Sequence, residues 1–202
     1  MYDQPVGGIA AFVLAGGHSS RMGRDKAFLE LAGRALIQRA VDLAGTVSGE
    51  VQIVGERAKF LEIGPTIEDL FPGGGPLAGI HAALSRTHHD LNLVLAVDLP
   101  LVTPEFLRYL LSQASQTSAL VSLPRADGRW QPLCAIYRKE FGELAQRALA
   151  KKKNRIDALF SPQETRELGE AELLRMGFDV GMFRNLNTPE DFAQAQRQLS
   201  GR

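Results

Sequence analysis

Cysteine is nearly absent from this chain of 202 residues: Cys134 stands alone, so no internal disulfide can form, and no cysteine framework points to an oxidising compartment. Histidine is sparse too. His18, His81, His88 and His89 show no metal-ligand spacing beyond the adjacent pair, which reads as a polar turn with Asp90, and zinc chemistry is not expected. Charge of one sign is missing, because 23 Lys and Arg balance 23 Asp and Glu. No global field therefore draws the protein to nucleic acid or to an anionic membrane, and an anionic partner must be held locally. No apolar run approaches the roughly 20 residues of a membrane span, and the opening segment lacks a basic stretch. A cytoplasmic location is expected.

What is present is apolar sequence in short blocks. With 45% hydrophobic residues the chain can build a substantial core, and a single compact domain over 1–202 is expected. Ile9 to Leu14 is a nearly continuous apolar run ending at Gly16-Gly17, the pattern of a strand covered on both faces. Leu36, Ile37, Ala40, Val41 and Ala44 recur at helical spacing, with Gly45 as a stop. Further strands are predicted at Val51 to Val54, weakly around Ile67, and most clearly at Leu91 to Val97. Between them a helix runs from about Leu77 to Leu84, and another begins near Pro104. This alternation predicts an α/β fold of three layers, α/β/α, on a mostly parallel, Rossmann-like sheet.

The second half is harder to read. Ala119 to Leu123 and Leu133 to Tyr137, joined through an Asp127-Gly128 turn, are expected at a sheet edge or extension, with Trp130 and Cys134 read as edge packing residues ahead of a base-stacking platform or a nucleophile. Phe141 to Leu149 reads as an amphipathic helix whose basic "KKKNR" terminus either contacts phosphates or, as Lys and Arg at a helix C-terminus favour, faces water. "ELGEAELLRMGF" reads as a helix, with a strand possible near Phe178. A last helix over Pro189 to Leu199 has Thr188 as N-cap and Asp191 as its reciprocal acidic residue.

In an open parallel sheet, ligands collect beyond the carboxyl ends of the strands. Three features converge there: "FVLAGGHSSRMGRDKAFLELAG", the glycine loop after Asp69, and Asp98. The first contains neither GxGxxG nor GxxxxGK[ST]. It is either a phosphate-binding loop carrying Arg21 and Lys26 or a turn closing a strand–helix connection. Asp98 follows an apolar strand and is costly to bury without a partner, which a structural hydrogen bond or a divalent ion would provide; the neighbouring loops favour Mg²⁺ bridging a polyphosphate. Asp69 reads as an Asx turn or as a group orienting substrate. Gly73, Gly74, Gly75 and Gly79 serve turn geometry, helix packing or a ligand; three consecutive glycines are costly to order merely to connect two elements.

These blocks, with "DLFPGGGPLAGIHAAL", "LVLAVDLPLVTPEFL", "DGRWQPLCAIYRK" and "NLNTPEDF", resemble those of bacterial molybdenum cofactor guanylyltransferases, within the wider nucleotidyltransferases of glycosyltransferase-A-like fold. The resemblance spans nearly the whole chain. It implies a nucleotide-binding half at about 8–100 and an acceptor-binding half at about 101–200. Leu14, Ala15 and Gly16 would form part of a GTP site, Gly17 and Arg21 would complete the loop, and Lys26 would contact the triphosphate. Asp69 matches a nucleotide-site carboxylate, Asp98 the Mg²⁺ ligand, and Gly75 and Gly79 glycines around the nucleotide. Arg21, Lys26 and Asp98 would be catalytic. Asn185 and Asn187 look like acceptor-side residues for molybdopterin. Gly55, Glu56 and Arg57 depart from the family, whose members often carry an asparagine there. A cytidylyltransferase using CTP, a sugar-phosphate nucleotidyltransferase and a non-catalytic nucleotide-binding protein are the alternatives. Transient contact with molybdenum-inserting and recipient enzymes is implied.

Overall fold

The structure is a computed structural model, and it describes residues 8–16 and 25–200. Strand β1 (Ile9–Leu14) is buried along its whole length and lies at the centre of an eight-stranded sheet. Its parallel neighbours are β4 (Glu50–Val54) and β6 (Leu91–Ala96), and β5 (Thr66–Ile67) extends the sheet beyond β4. Successive β1 residues point to opposite faces: Ala11 and Val13 join one apolar cluster, Ala10, Phe12 and Leu14 the other. Two-sided burial is why these strands read as continuous apolar runs.

One face carries α1 (Leu36–Gly45) and α4 (Pro104–Ser115), and the opposite face carries α3 (Pro76–Arg86) and α5 (Phe141–Ala150). The short helix α2 (Arg57–Phe60) follows β4. The three-layer α/β/α arrangement is thus observed. A hairpin that the sequence did not suggest, β2 (Glu30–Leu31) with β3 (Arg34–Ala35), precedes α1. Its turn residues Ala32 and Gly33 have φ of 51° and 74°, the left-handed pair that a tight two-residue hairpin requires. Among the described residues no helix is long and apolar enough to cross a membrane.

The second half corrects two expectations. Strands β7 (Val121–Ala126) and β9 (Cys134–Arg138) are not a marginal pair, because the order β10-β7-β9-β6-β1-β4-β5 puts β9 inside the sheet, antiparallel to both β6 and β7. Cys134 and Tyr137 are consequently core residues rather than edge packing, and burial pushes the thiol and phenol pKa values up, leaving both neutral. Only the small β8 (Arg129–Trp130), paired with β7 across the Asp127-Gly128 turn, projects from the sheet.

No strand forms at Phe178. The edge strand is β10 (Thr165–Leu168), parallel to β7, and the helix α6 (Glu170–Arg175) follows it. Phe178 instead packs its ring against Phe106, 5.4 Å away, and Tyr109, 5.2 Å away. The last helix α7 (Pro189–Ser200) begins as expected: Thr188 Oγ1 accepts from the Asp191 amide at 3.1 Å, and the Asp191 carboxylate accepts from the Thr188 amide at 3.0 Å.

Candidate active site

The carboxyl ends of β1, β4 and β6 are stitched together just beyond the strands. Val97 donates its amide to Leu14 O at 3.1 Å, Ala15 donates to Val54 O at 2.9 Å, and Gly55 donates to Ile67 O at 3.0 Å. Leu14 and Ala15 are buried in this seam and Gly16 emerges exposed from it. Gly55 is demanded by packing: a Cβ there would sit 2.8 Å from the Phe60 ring.

Asp98 lies two residues past the end of β6, and its carbonyl accepts from the Leu186 amide at 3.1 Å. That bond fixes the "NLN" segment beside it, with Leu186 buried and Asn185 and Asn187 exposed on either side. Lys26 arrives from the other direction. A short 3₁₀ turn over Lys26–Phe28 is capped by Asp25, whose Oδ1 accepts from the Ala27 amide at 3.2 Å. Asp25 also pairs with Lys59 at 3.2 Å, and Phe28 stacks on Phe60 with ring centroids 5.5 Å apart, so the turn is anchored to α2.

Thus held, Lys26 Nζ donates to Asp98 Oδ2 at 2.8 Å and to Asn187 Oδ1 at 3.0 Å. Three predicted site residues, separated by 72 and 161 positions in sequence, meet at one ammonium group. The Lys26 and Asp98 side chains are only 16% and 19% exposed, so their attraction is screened less than that of a surface pair.

The glycine loop closes the opposite side of the sheet edge. Gly73 and Gly75 have φ of 76° and 63°, and a Cβ on Gly74 would lie 2.8 Å from both Ala78 and Leu149 side-chain atoms. Each glycine of "GGG" therefore meets a geometric requirement. Gly75 is the N-cap of α3 with no side chain capping it; Pro76 in the first turn has no N–H to satisfy, the Ala78 amide donates to Gly75 O at 3.0 Å, and Leu77 and Ala78 are buried. Gly79 lies inside α3, where a Cβ would approach Leu14 at 3.3 Å, so it sets how closely the helix packs on the strand ends. Asp69 is exposed on the approach to this loop. Gly17 and Arg21 lie outside the described residues.

Among the described residues no group of three or more His, Cys, Asp or Glu could hold a metal ion. Mg²⁺ bound alongside phosphate oxygens and water needs fewer protein ligands, and one carboxylate with an exchangeable ammonium partner, as at Asp98, suits it. Sequence reasoning missed the Asp25–Lys59 anchor and the Leu186–Asp98 main-chain bond. The "RDK" acidic residue was a signal for the first, while the second is a long-range main-chain contact with no side-chain signature.

A mostly parallel α/β sheet with glycine loops and a cation–carboxylate cluster at its carboxyl edge defines a nucleotide-handling protein of the open-sheet class. A model of the MobA-like NTP transferase domain matches residues 11–166. A Pelotomaculum thermopropionicum protein named "Probable molybdenum cofactor guanylyltransferase" is 35% identical over 186 residues, covering 91% of this chain and 90% of its own. A Carboxydothermus hydrogenoformans protein of the same name is 34% identical over 191 residues, covering 93% and 95%. The crystal structure of molybdopterin-guanine dinucleotide biosynthesis protein A from Archaeoglobus fulgidus aligns with a TM-score of 0.82 at 27% identity, over 96% of this chain and 100% of that one. The chain belongs to the MobA-like NTP transferase family and is a nucleotidyltransferase of glycosyltransferase-A-like fold.

Proposed function

We propose that this protein transfers GMP from GTP to the terminal phosphate of molybdopterin, releasing pyrophosphate and forming molybdopterin guanine dinucleotide. The observation that carries the reading is the Lys26–Asp98–Asn187 cluster at the carboxyl edge of the sheet, in a chain whose relatives above 30% identity bear the guanylyltransferase name over nine-tenths of both lengths. A phosphate oxygen of the acceptor attacks the α-phosphorus of GTP. The new P–O bond forms as the α–β bridge breaks, and the electron pair leaves with pyrophosphate. The nucleophile is already an anion, so no strong general base is needed; the demands are alignment and charge neutralisation.

Lys26, and Arg21 from the preceding loop, neutralise the triphosphate. Asp98 would hold Mg²⁺, which supplies further neutralisation of the phosphates when bound. Gly75, at positive φ, shapes the loop beside the phosphates. Leu14, Ala15, Gly16 and Gly17 shape the nucleotide floor, Gly79 sets the packing behind it, and Asp69 positions the nucleotide. Asn187 orients Lys26, and with Asn185 it meets the acceptor phosphate. Metal-loaded molybdopterin and contact with molybdenum-inserting and molybdoenzyme maturation proteins belong to the same proposal.

The test is a screen of GTP, CTP and ATP against molybdopterin and sugar 1-phosphates, with the product identified by mass. GTP with molybdopterin is the expected productive pair. Preference for CTP would make the protein a cytidylyltransferase, preference for a sugar phosphate would move it to another branch, and absence of pyrophosphate release throughout would leave a binding protein.

A further inference from the structure

A cavity of about 580 Å³, of a size that suits a small-molecule ligand, lies apart from the Lys26–Asp98–Asn187 cluster. Its described lining includes Arg125, Arg129, Trp130, Asn154, Ile156 and Asp157, contributed by the β7–β8 hairpin and the segment after α5. Strand β7 runs parallel to β6 with β9 between them, so the hairpin emerges at the same carboxyl edge as Asp98. Two strand spacings separate β7 from β6, about 10 Å. Two bonds tie the cavity wall to the site: Ala96 donates its amide to Leu133 O at 2.7 Å, and Asn154 Nδ2 donates to Gly73 O in the glycine loop at 3.3 Å.

The lining has a definite chemistry. Trp130 is held in one orientation, its Nε1 donating to Glu167 Oε2 at 2.6 Å and its ring meeting Phe160 edge-on at 5.3 Å. A fixed indole stacks a flat heterocycle without paying for its own ordering. The Asp157 carboxylate, whose two oxygens accept from Arg155 at 3.2 and 2.6 Å, is an acceptor-only group whose remaining lone pairs match a ring edge that offers two adjacent N–H donors. Arg129 adds a cation, while Arg125 is engaged only at 3.4 Å with Glu167.

We propose that this cavity binds the pterin ring of the acceptor, with Trp130 stacking on the ring, Asp157 accepting from its amino-pyrimidinone edge and Arg129 meeting its anionic side arm. The inference rests on the acceptor reading above. Guanine carries the same amino-pyrimidinone edge, so the experiment must separate base from pterin. Strand β7 lies two places beyond β6 on the side away from β1 and β4, whose ends the proposed function gives to the nucleotide, and this favours the pterin.

Trp130 is the sole tryptophan of the chain, so its fluorescence reports on the cavity directly. The intact protein is titrated with 6-carboxypterin and, in parallel, with GMP. The pterin is expected to quench Trp130 and GMP to leave it unchanged. In the transfer assay Trp130→Ala and Asp157→Asn are expected to raise the acceptor KM about tenfold or more, the loss of one stacking or charged contact, with GTP KM unchanged. Trp130→Phe should restore most of the acceptor affinity. Quenching by GMP and not by pterin, or an unchanged acceptor KM in both variants, overturns the site. Should Trp130→Ala not fold, the Asp157→Asn variant on the exposed segment and the wild-type titration still decide the matter. Transfer to molybdopterin with Trp130 untouched by pterin keeps the proposed function and removes this site; quenching by pterin without transfer does the reverse.

Discussion

Two ionic clusters of similar composition do different work in this molecule. At the sheet edge, Lys26 is shared between Asp98 and Asn187. Between β10, α4 and α6, Arg166 grips Glu172 with two bonds of 2.6 and 3.1 Å, Gln113 accepts from the same guanidinium at 2.8 Å, and the Tyr109 hydroxyl donates to Glu172 at 2.7 Å. The second cluster is a fork on a carboxylate, the strongest geometry for such a pair, and it locks three packed elements together. The first is a single flexible ammonium with two acceptors at the mouth of the cleft. A Lys of that kind can exchange its partners for phosphate oxygens; a saturated Arg–Glu fork has little to exchange.

The contrast predicts opposite phenotypes. Asp98→Asn and Lys26→Ala should each lower transfer roughly 10²–10³-fold, the usual cost of removing one electrostatic contact to a reacting phosphate. Thermal unfolding of both should stay close to wild type. Glu172→Gln should do the reverse, losing about 1–3 kcal/mol of stability in denaturant titrations while turnover holds. Burial opposes ionisation of Glu172, yet the Arg166 and Tyr109 hydrogen bonds outweigh it and hold the carboxyl below its ordinary range. A depressed carboxyl contributes stability above the unfolded pKa and loses it as pH falls through the folded pKa. The wild type should therefore lose an acid-sensitive increment of stability that Glu172→Gln lacks. If Asp98→Asn unfolds early and Glu172→Gln stops turnover, the division between the clusters is wrong.

The glycine loop lies between these extremes. Gly74→Ala should cost about 1–3 kcal/mol by overpacking, since Ala78, Leu149 and the Phe71 carbonyl all crowd the new methyl group. Differential scanning calorimetry measures it directly. The smallest effect expected is at His81, whose Nδ1 is buried without a hydrogen-bond partner among the described residues, and whose pKa burial lowers from 6.5. Below that value the unfolded chain takes up a proton that the folded protein refuses, so stability declines with acidification by at most about 1.4 kcal/mol per pH unit. His81→Leu should remove that slope.

The parallel half was legible because strands covered on both faces must be apolar throughout. Ile9–Leu14 and Leu91–Ala96 are found where the residue pattern puts them. "TREL" was not legible as a strand: it is a short, half-polar edge that becomes β only by pairing with β7. The place of β9 was hidden for a related reason, since "CAIYR" announces a buried strand and says nothing about which two strands it separates. In the site, Lys26 and Asp98 were singled out by residue type and position and Asn187 only through the resemblance, and their meeting at one ammonium depends on the Leu186 main-chain bond and the Asp25 anchor.

Local chemistry, then, is written residue by residue: apolar period, helix caps, glycines where φ is positive, and charged side chains at strand ends. These are short-range preferences, and each is decided within a few residues of chain. The insertion of β9, the approach of the "NLN" segment to Asp98 and the cavity under Trp130 arise from contacts between segments far apart in sequence. Such pairings depend on which faces pack together after the chain collapses, and no local pattern encodes that choice.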